Sequence, residues 1–111
     1  MSNRIEKINS LVQKEMGQIL LREIEFPAGA LVTITNVKTS VDLANARVYI
    51  SVIPQEKSER VLEILGKMIY PLQQFLNKRM RTRPIPKIRF VPEELTARAA
   101  KIEGLLRKIK E

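Results

Sequence analysis

The sequence contains neither cysteine nor histidine. Without cysteine, the chain forms no disulfide, offers no thiolate nucleophile and holds no cysteine-ligated metal. Without histidine, it also lacks the commonest general base and the commonest ligand of transition metals. We therefore expect a protein that is not an enzyme and that uses no cofactor and no metal.

Long apolar runs are also missing. No run approaches the roughly 18 residues that a membrane span requires. The N-terminal stretch MSNRIEKINS does not have the charged-then-apolar layout of a signal peptide. We expect a cytoplasmic protein without a membrane span.

Acidic residues are absent from one long stretch of the chain. The 111 residues carry a formal net charge of +8, yet residues 1–30 and 31–56 each sum to zero. From residue 64 to residue 92 there is no aspartate or glutamate. A basic segment of this kind attracts nucleic-acid phosphates or anionic lipid headgroups. Its cations are Lys67, Lys78, Arg79, Arg81, Arg83, Lys87 and Arg89.

The spacing of apolar residues predicts a helix and then two strands in the first half of the chain. From Ile5 to Ile24 apolar residues recur every three or four positions, and a proline and a glycine follow. β-Branched residues then predict strands over residues 31–38 and 46–52, joined by the polar loop TSVDLAN. Because this loop is short, the two strands should pair antiparallel.

Helical spacing returns near Lys57 and continues, with one interruption, to Met80. Pro71 lacks an amide donor and disfavours helical geometry at Tyr70, so we expect two helices joined at a kink there. Two further prolines end the second of these helices. The segment KIRFV, residues 87–91, predicts a third strand with its apolar residues inward and its basic residues outward.

The last stretch, residues 93–111, predicts an amphipathic helix with a narrow apolar stripe, weakened by Gly104. Two roles stay open for it. Either it packs back onto the protein's own sheet or frays as a mobile tail, or it binds a partner. The stripe consists of Leu95, Ala99, Ile102, Leu106 and Ile109.

This order of elements predicts an α+β domain over residues 1–92. A helical crossover joins the second and third strands, which makes them parallel neighbours in a mixed three-stranded sheet. The helices should cover one face of that sheet. The order matches the type II K-homology (KH) fold, a nucleic-acid-binding architecture, although topology alone supports only an analogy in function.

The segment TITNVKTSVDLANARVYISV, residues 33–52, closely resembles the ribosome-binding factor A family, whose members are bacterial assembly factors of the small ribosomal subunit. The resemblance extends to the N-terminal helix, to LNKRMRTRPIPKIRF and to FVPE followed by KIEGLL, so it covers nearly the whole chain. The diagnostic positions within the segment are Val37, Ser40, Asp42, Leu43, Ala46, Val48 and Tyr49.

The resemblance implies a type II KH-like fold and a function in ribosome biogenesis. The chain should bind the immature small (30S) ribosomal subunit and its 16S rRNA, assist late rRNA processing and maturation, and leave before translation. We expect a monomer whose partners include the small subunit and, in addition, ribosomal proteins or other assembly factors.

Two positions depart from the family's pattern. The family's helix junction resembles an alanine, any residue, glycine kink, whereas the aligned residues here are Met68, Ile69 and Tyr70. We therefore expect Pro71 to make the kink instead. The family's aspartate after FVP is Glu93 here, which keeps the charge.

The block NKRMRTR is the main candidate for binding RNA. Because the helical apolar stripe continues to Met80, Lys78 and Arg81 should lie on one flank of the helix. Arg79 and Arg83 should lie on another. Like charges this close repel one another, and a bound polyanion would offset that cost. The alternative is a solvated helix face whose long side chains cover apolar surface.

The open face of the sheet is a second candidate surface. Tyr49 on this face either stacks on a base or is an ordinary strand tyrosine. Aromatic residues make up only 5% of the chain, so recognition should depend more on the RNA backbone and shape than on reading bases. The cations expected to aid the basic block are Arg47, Lys87 and Arg89 on the sheet and Arg4 and Lys7 on the first helix.

Asp42 lies in the loop between the first two strands, where a catalytic aspartate and a turn-forming aspartate are both conceivable. With no histidine and no cysteine in the chain, the turn-forming role is favoured. Two other functions remain open for the chain. One is a generic nucleic-acid-binding module, and the other is a protein-interaction or membrane-surface module that uses the terminal helix.

Overall fold

The computed structural model describes residues 2–93. These residues form helices and strands in the order predicted from the sequence. The final helix, predicted within residues 93–111, lies outside the described residues. The bounds are α1 Ser2–Glu23, β1 Leu31–Thr39, β2 Asn45–Ile53, a 3-10 turn Gln55–Lys57, α2 Ser58–Lys67, α3 Ile69–Arg79 and β3 Lys87–Pro92.

β2 is the central strand of a three-stranded sheet in the order β1-β2-β3. It pairs antiparallel with β1, where Val37 lies opposite Val48, and parallel with β3, where Val48 lies opposite Phe90. The predicted mixed sheet and α+β class are therefore confirmed. Because α2 and α3 carry the chain back between two parallel strands, the starts of β2 and β3 lie at the same end of the sheet as the end of β1.

The core lies between one face of the sheet and the three helices. α1 packs on β1 and α3, while α2 and α3 both pack on β3. The three-and-four spacing in α1 and the alternation in β2 each turn one row of apolar side chains to this layer. Its buried residues include Ile8, Val12, Met16, Ile19 and Leu20 of α1, Ala46, Val48, Ile50 and Val52 of β2, Val61, Leu65, Leu72 and Leu76 of α2 and α3, and Ile88 of β3.

β1 contains a bulge that the sequence analysis did not predict. Ile34 pairs with Ile50 and Asn36 pairs with Tyr49, so Thr35 is left without a partner in the ladder. The extra residue reverses the alternation of the strand. As a result both Ile34 and, three positions later, Val37 face the helices, and the following residue, Lys38, faces the open side of the sheet.

The loop between β1 and β2 is held together by a serine and an aspartate. Ser40 Oγ donates to Asp42 Oδ1 (2.6 Å), and the amide of Ala44 donates to the same oxygen (3.1 Å). The amide of Asn45 donates to Ser40 Oγ (3.0 Å). Between them Leu43 adopts a left-handed conformation (φ 63°), and its side chain is buried in the core. The expected turn-forming role of Asp42 is confirmed.

The hydrogen bonds to Asp42 give the loop a predictable dependence on pH. Donation by the Ser40 hydroxyl, and then by the Ala44 amide, lowers the pKa of the Asp42 carboxyl below its usual value of 3.8. A lowered folded-state pKa means that the ionised carboxylate stabilises the fold above pH 3.8, and that this contribution disappears as the pH falls through the lowered value.

We therefore expect Asp42→Asn to lower the thermal midpoint at neutral pH and to have little effect in strong acid. The change removes the charge but keeps an acceptor oxygen of the same size, so it isolates the ionised form. Thermal melts of both proteins from neutral pH to below pH 3.8 would measure the difference. The control is Glu25→Gln, which makes the same change of charge at an exposed position. A difference that stays constant across the range would contradict the assignment.

The break between α2 and α3 lies at Met68, two residues before the interruption expected at Tyr70. Met68 has φ −96° and ψ 9°, a conformation open to any residue, so no glycine is required there. Tyr70 and Pro71 fall in the first turn of α3, where the missing amide of proline is tolerated. The amide of Leu72 then bonds to the carbonyl of Met68 (3.0 Å).

Candidate nucleic-acid interface

The basic block does not form a continuous helix, so its predicted helical pairing is wrong. α3 ends at Arg79, and Met80 is extended (φ −84°, ψ 129°) with its side chain buried. Arg81 and Arg83 therefore lie in the loop that leads to β3. The reason is local, because in a continued helix Pro84 could not donate to the carbonyl of Met80, and its ring would clash with that carbonyl.

Arg79 is neutralised within the fold. Its guanidinium contacts Glu15 Oε2 of α1 at 3.2 Å and donates to Gln18 Oε1 at 2.8 Å. Only 27% of the Arg79 side chain and 20% of the Glu15 side chain are exposed. The acid-free stretch thus receives an acidic partner from another part of the chain, and this pair joins α3 to α1.

Arg83 is fixed by its own loop. Its guanidinium donates to the carbonyls of Met80 (3.0 Å) and Thr82 (3.3 Å), which leaves the charge exposed but restricts its position. Lys78, in the last turn of α3, and Arg81 are both exposed. The block therefore supplies three exposed cations and one that serves the fold.

Three cations lie side by side across the open face of the sheet. Lys38 of β1 is the register partner of Arg47 of β2, and Arg47 is in turn the partner of Arg89 of β3. All three are exposed, and none forms an ion pair within residues 2–93. We call these residues the strand row. A shallow cavity of about 100 Å³ lies beside them and is also lined by Thr39, Ser40, Asn45 and Ala46.

Tyr49 lies next to the strand row and is not an open stacking platform. Its side chain is only 6% exposed, and the Nζ of Lys38 lies 5.6 Å from the centre of its ring. A cation over an aromatic face is held there by the ring's charge distribution. The interpretation of Tyr49 as a strand tyrosine, whose role is packing, is therefore favoured over base stacking.

α1 adds cations at the same end of the molecule. The amide and the hydroxyl of Thr39 both donate to Asn9 Oδ1, the amide at 2.9 Å, so the first turns of α1 are tied to the end of β1. Arg4 and Lys7 are exposed on these turns. They line a cavity of about 230 Å³ together with Ile8, Leu11, Thr82 and Arg83. We call this cavity the notch.

The strand row, the notch and Lys87 together form what we call the basic end of the domain. Asp42 and Glu6 are acidic residues at this end, and the carboxylate of Asp42 is engaged in its loop. At the opposite end of the sheet Leu31 pairs with Ile53, near the acidic residues Glu23, Glu25 and Glu56. The positive charge of the described residues is therefore concentrated on one side.

Neither a cluster of metal-binding carboxylates nor a membrane-spanning helix is found within residues 2–93. Residues 2–93 contain no group of three or more acidic side chains placed to hold a metal ion. None of the helices formed by these residues is both long and apolar enough to pass through a bilayer. The chemistry available at the basic end is binding of anions by arginine, lysine, hydroxyl and amide groups.

The sequence of this chain is similar to known proteins over nearly its whole length. A family model described as ribosome-binding factor A matches residues 4–106. The chain belongs to the ribosome-binding factor A family. A ribosome-binding factor A from Chlorobium luteolum is 39% identical over 114 residues, covering 99% of this chain and 94% of that protein. One from Pseudomonas paraeruginosa is 37% identical over 109 residues, covering 96% and 85%.

Solved structures of the ribosome-binding factor A family share the fold. The crystal structure of the Thermus thermophilus protein superimposes with a TM-score of 0.66 at 24% identity, covering 79% of this chain and 94% of that one. A Thermus thermophilus homology model fitted into a cryo-EM map of a 30S complex gives 0.64 at 24% identity, covering 75% and 88%. The α+β architecture expected from the sequence, with its mixed three-stranded sheet, is thereby shared with members of this family.

The structure brings most of the predicted site residues together and adds one that sequence reasoning missed. Lys38 was not among the candidates, although it completes the strand row. The candidates that the structure places at the basic end are Arg4, Lys7, Arg47, Arg83, Lys87 and Arg89, whereas Lys78 and Arg81 adjoin it and Arg79 is turned to α1.

Proposed function

We propose that this chain binds the immature small ribosomal subunit through its basic end, contacts 16S rRNA and assists late rRNA processing and maturation. The observation that carries the proposal is the strand row. Like charges placed directly opposite one another destabilise a sheet. Here Lys38 faces Arg47 and Arg47 faces Arg89, so cations repel one another across all three strands. A bound polyanion offsets that repulsion.

The proposed contact surface follows from the accessibility of the cations. The strand row and Lys87 bind phosphates from the sheet, and Arg4, Lys7 and Arg83 bind them from the notch, with Lys78 and Arg81 beside it. Arg79 is left out because Glu15 and Gln18 already occupy its guanidinium. Such contacts fix the position of a protein on RNA without reading its sequence.

The family supports the identity of the partner. The Thermus thermophilus ribosome-binding factor A is described as fitted into the map of a 30S complex, and the fold of this chain is the same. We propose that this chain likewise acts as a monomer in the cytoplasm, forms no covalent bonds and uses no cofactor. Ribosomal proteins or other assembly factors complete the docking site on the subunit.

Selective binding to small subunits is the expected result when the protein is sedimented through gradients with purified small subunits, large subunits and whole ribosomes. If about five phosphates are neutralised, the logarithm of the affinity should fall with the logarithm of salt concentration with a slope of about −3.5 to −4.5. Repeating the binding at several salt concentrations measures this slope.

Other outcomes would support the alternatives. Equal binding to every particle and to duplex DNA would indicate a generic nucleic-acid-binding module. Loss of all binding on deletion of residues 94–111, with a slope near zero in the full chain, would indicate a protein-interaction module. Either result would refute binding of the small subunit through the basic end.

A further inference from the structure

The notch differs chemically from the rest of the basic end, because it has an apolar floor. Ile8 and Leu11, one turn apart on α1, form the apolar part of its lining, which we call the floor. The cations of the lining are Arg4, Lys7 and Arg83. Its volume is about 230 Å³. Ile8 is buried, but Leu11 is only half-buried, and a surface that only needed to hold phosphates would gain nothing from leaving an apolar side chain partly in water.

The guanidinium of Arg83 is the part of the notch that is best fixed in position. Its hydrogen bonds to the carbonyls of Met80 and Thr82 hold it before any ligand arrives. A guanidinium is planar, stacks on flat rings and remains charged at all working pH values. The notch therefore combines a planar cation with an apolar floor and two further cations from one helix face.

An anion with a flat, apolar part fits this combination, and in RNA that unit is a single nucleotide. We propose that the notch binds one unstacked nucleotide, with the base between the apolar floor and Arg83 and its flanking phosphates bound by Arg4 and Lys7. The inference rests on the proposed function, since it names the form of RNA that the basic end selects. It implies that a single-stranded loop, bulge or end of the rRNA is the target.

The size of the notch supports one base rather than a larger ligand. Pockets for drug-sized molecules occupy about 300–1,000 Å³, and the notch is smaller. A base within a duplex is stacked on both sides and does not reach such a cavity, whereas bases of single-stranded segments are free to turn outward. The single-stranded preference is thus a consequence of shape, and charge alone would not produce it.

The test compares two single-stranded probes of about ten nucleotides, which is within the range of known single-strand sites. One is an oligouridylate, and the other is an abasic oligomer with the same sugar-phosphate backbone. Because their charges are equal, a difference in affinity at one salt concentration reports on the bases. We expect the full chain to prefer the oligouridylate by about fivefold or more, as stacking of one base provides.

Arg83→Lys is the diagnostic variant because it keeps the charge and removes the planar group. We expect it to bind both probes with affinities within about twofold of each other, since stacking of the base is lost while the phosphate attraction remains. Arg22→Lys, an exposed arginine at the opposite end of α1, is the matched control and should keep the full preference. Thermal melts confirm that each variant folds, and Leu11→Asn replaces Arg83→Lys if the latter does not.

The position of the base is read from methyl NMR signals of the unmodified protein. The signals of Ile8 and Leu11 should shift with oligouridylate and remain in place with the abasic oligomer. Equal affinity for the two probes, or a preference that Arg83→Lys retains without shifts at these methyls, would overturn the inference. Binding of the protein to small subunits is measured separately. If the protein still binds them while the oligonucleotide test fails, only the assignment of a nucleotide to the notch is wrong, and the proposed function stands.

Discussion

Reversing two charges of the strand row, with Arg47→Glu and Arg89→Glu together, is expected to weaken binding to small ribosomal subunits about 100-fold or more. A hydrogen bond to a charged group contributes about 1.5–3 kcal/mol, so removing two phosphate interactions takes away at least about 3 kcal/mol even before repulsion is added. The dependence on salt should also become shallower, by about 0.7–0.9 in slope for each phosphate that is no longer neutralised. Gradient sedimentation at several salt concentrations measures both effects.

The matched control changes the same amount of charge elsewhere. The double variant Arg22→Glu with Arg60→Glu lowers the net charge as much as the strand-row variant does. Both of its residues are exposed, but they lie away from the basic end. We expect this variant to bind with nearly unchanged affinity and slope. If the two double variants lose affinity equally, net charge alone attracts the protein and the strand row is not a contact surface.

Folding should not confound the comparison of the strand row. Arg47 and Arg89 are exposed. In the double variant, position 47 attracts Lys38 instead of repelling it, while positions 47 and 89 still carry like charges, so the row contains one repulsive pair instead of two. The double variant should therefore melt at a temperature no lower than the unmodified protein. A variant that is stable and no longer binds separates function from folding at these positions.

Periodicity in the sequence was sufficient to predict the sheet. β2 alternates apolar and polar residues so regularly that its inward row follows directly from the pattern, and β3 repeats the pattern with Ile88 inward and Arg89 outward. The helical segments between them require a crossover, which makes the two strands parallel. Local pattern and chain connectivity therefore determined the architecture, including the face on which Arg47 and Arg89 would lie.

Contacts between distant segments limited the prediction of the site. Nothing local to Arg79 shows that Glu15, distant in sequence, will neutralise it, because that depends on how α1 and α3 pack. The helical pattern of apolar residues also continues to Met80, although the prolines beyond it favour an extended chain. The charge of the basic block was thus predicted correctly, but its geometry required the tertiary structure.

Lys38 was missed for a different reason. Simple alternation along β1 from the inward-facing Ile34 would have turned Lys38 toward the helices and Val37 away from them. The bulge at Thr35 reverses this, and no residue type in the strand marks its position. Lys38 therefore belongs to the strand row because of the strand register, which only the observed pairing of β1 with β2 defines.

Truncation of Leu72 is the second change with a large expected effect, this time on stability. Leu72 is fully buried, and its amide bonds to the carbonyl of Met68 at the break between α2 and α3. Leu72→Ala leaves a cavity where α3 packs on the sheet, and such changes cost about 2–5 kcal/mol. Since domains of this kind are stable by only about 5–15 kcal/mol, denaturant titration should show a large fall in the free energy of unfolding.

Two companion variants give this prediction its meaning. Gln74→Ala, at an exposed position of the same helix, should change the free energy of unfolding by less than about 0.5 kcal/mol. Leu72→Met keeps the volume and should cost less than about 1.5 kcal/mol. If Leu72→Ala were as mild as these, α3 would not depend on core packing. In that case the position of the loop that carries Arg81 and Arg83 would have to come from the ion pair of Arg79 with Glu15 instead.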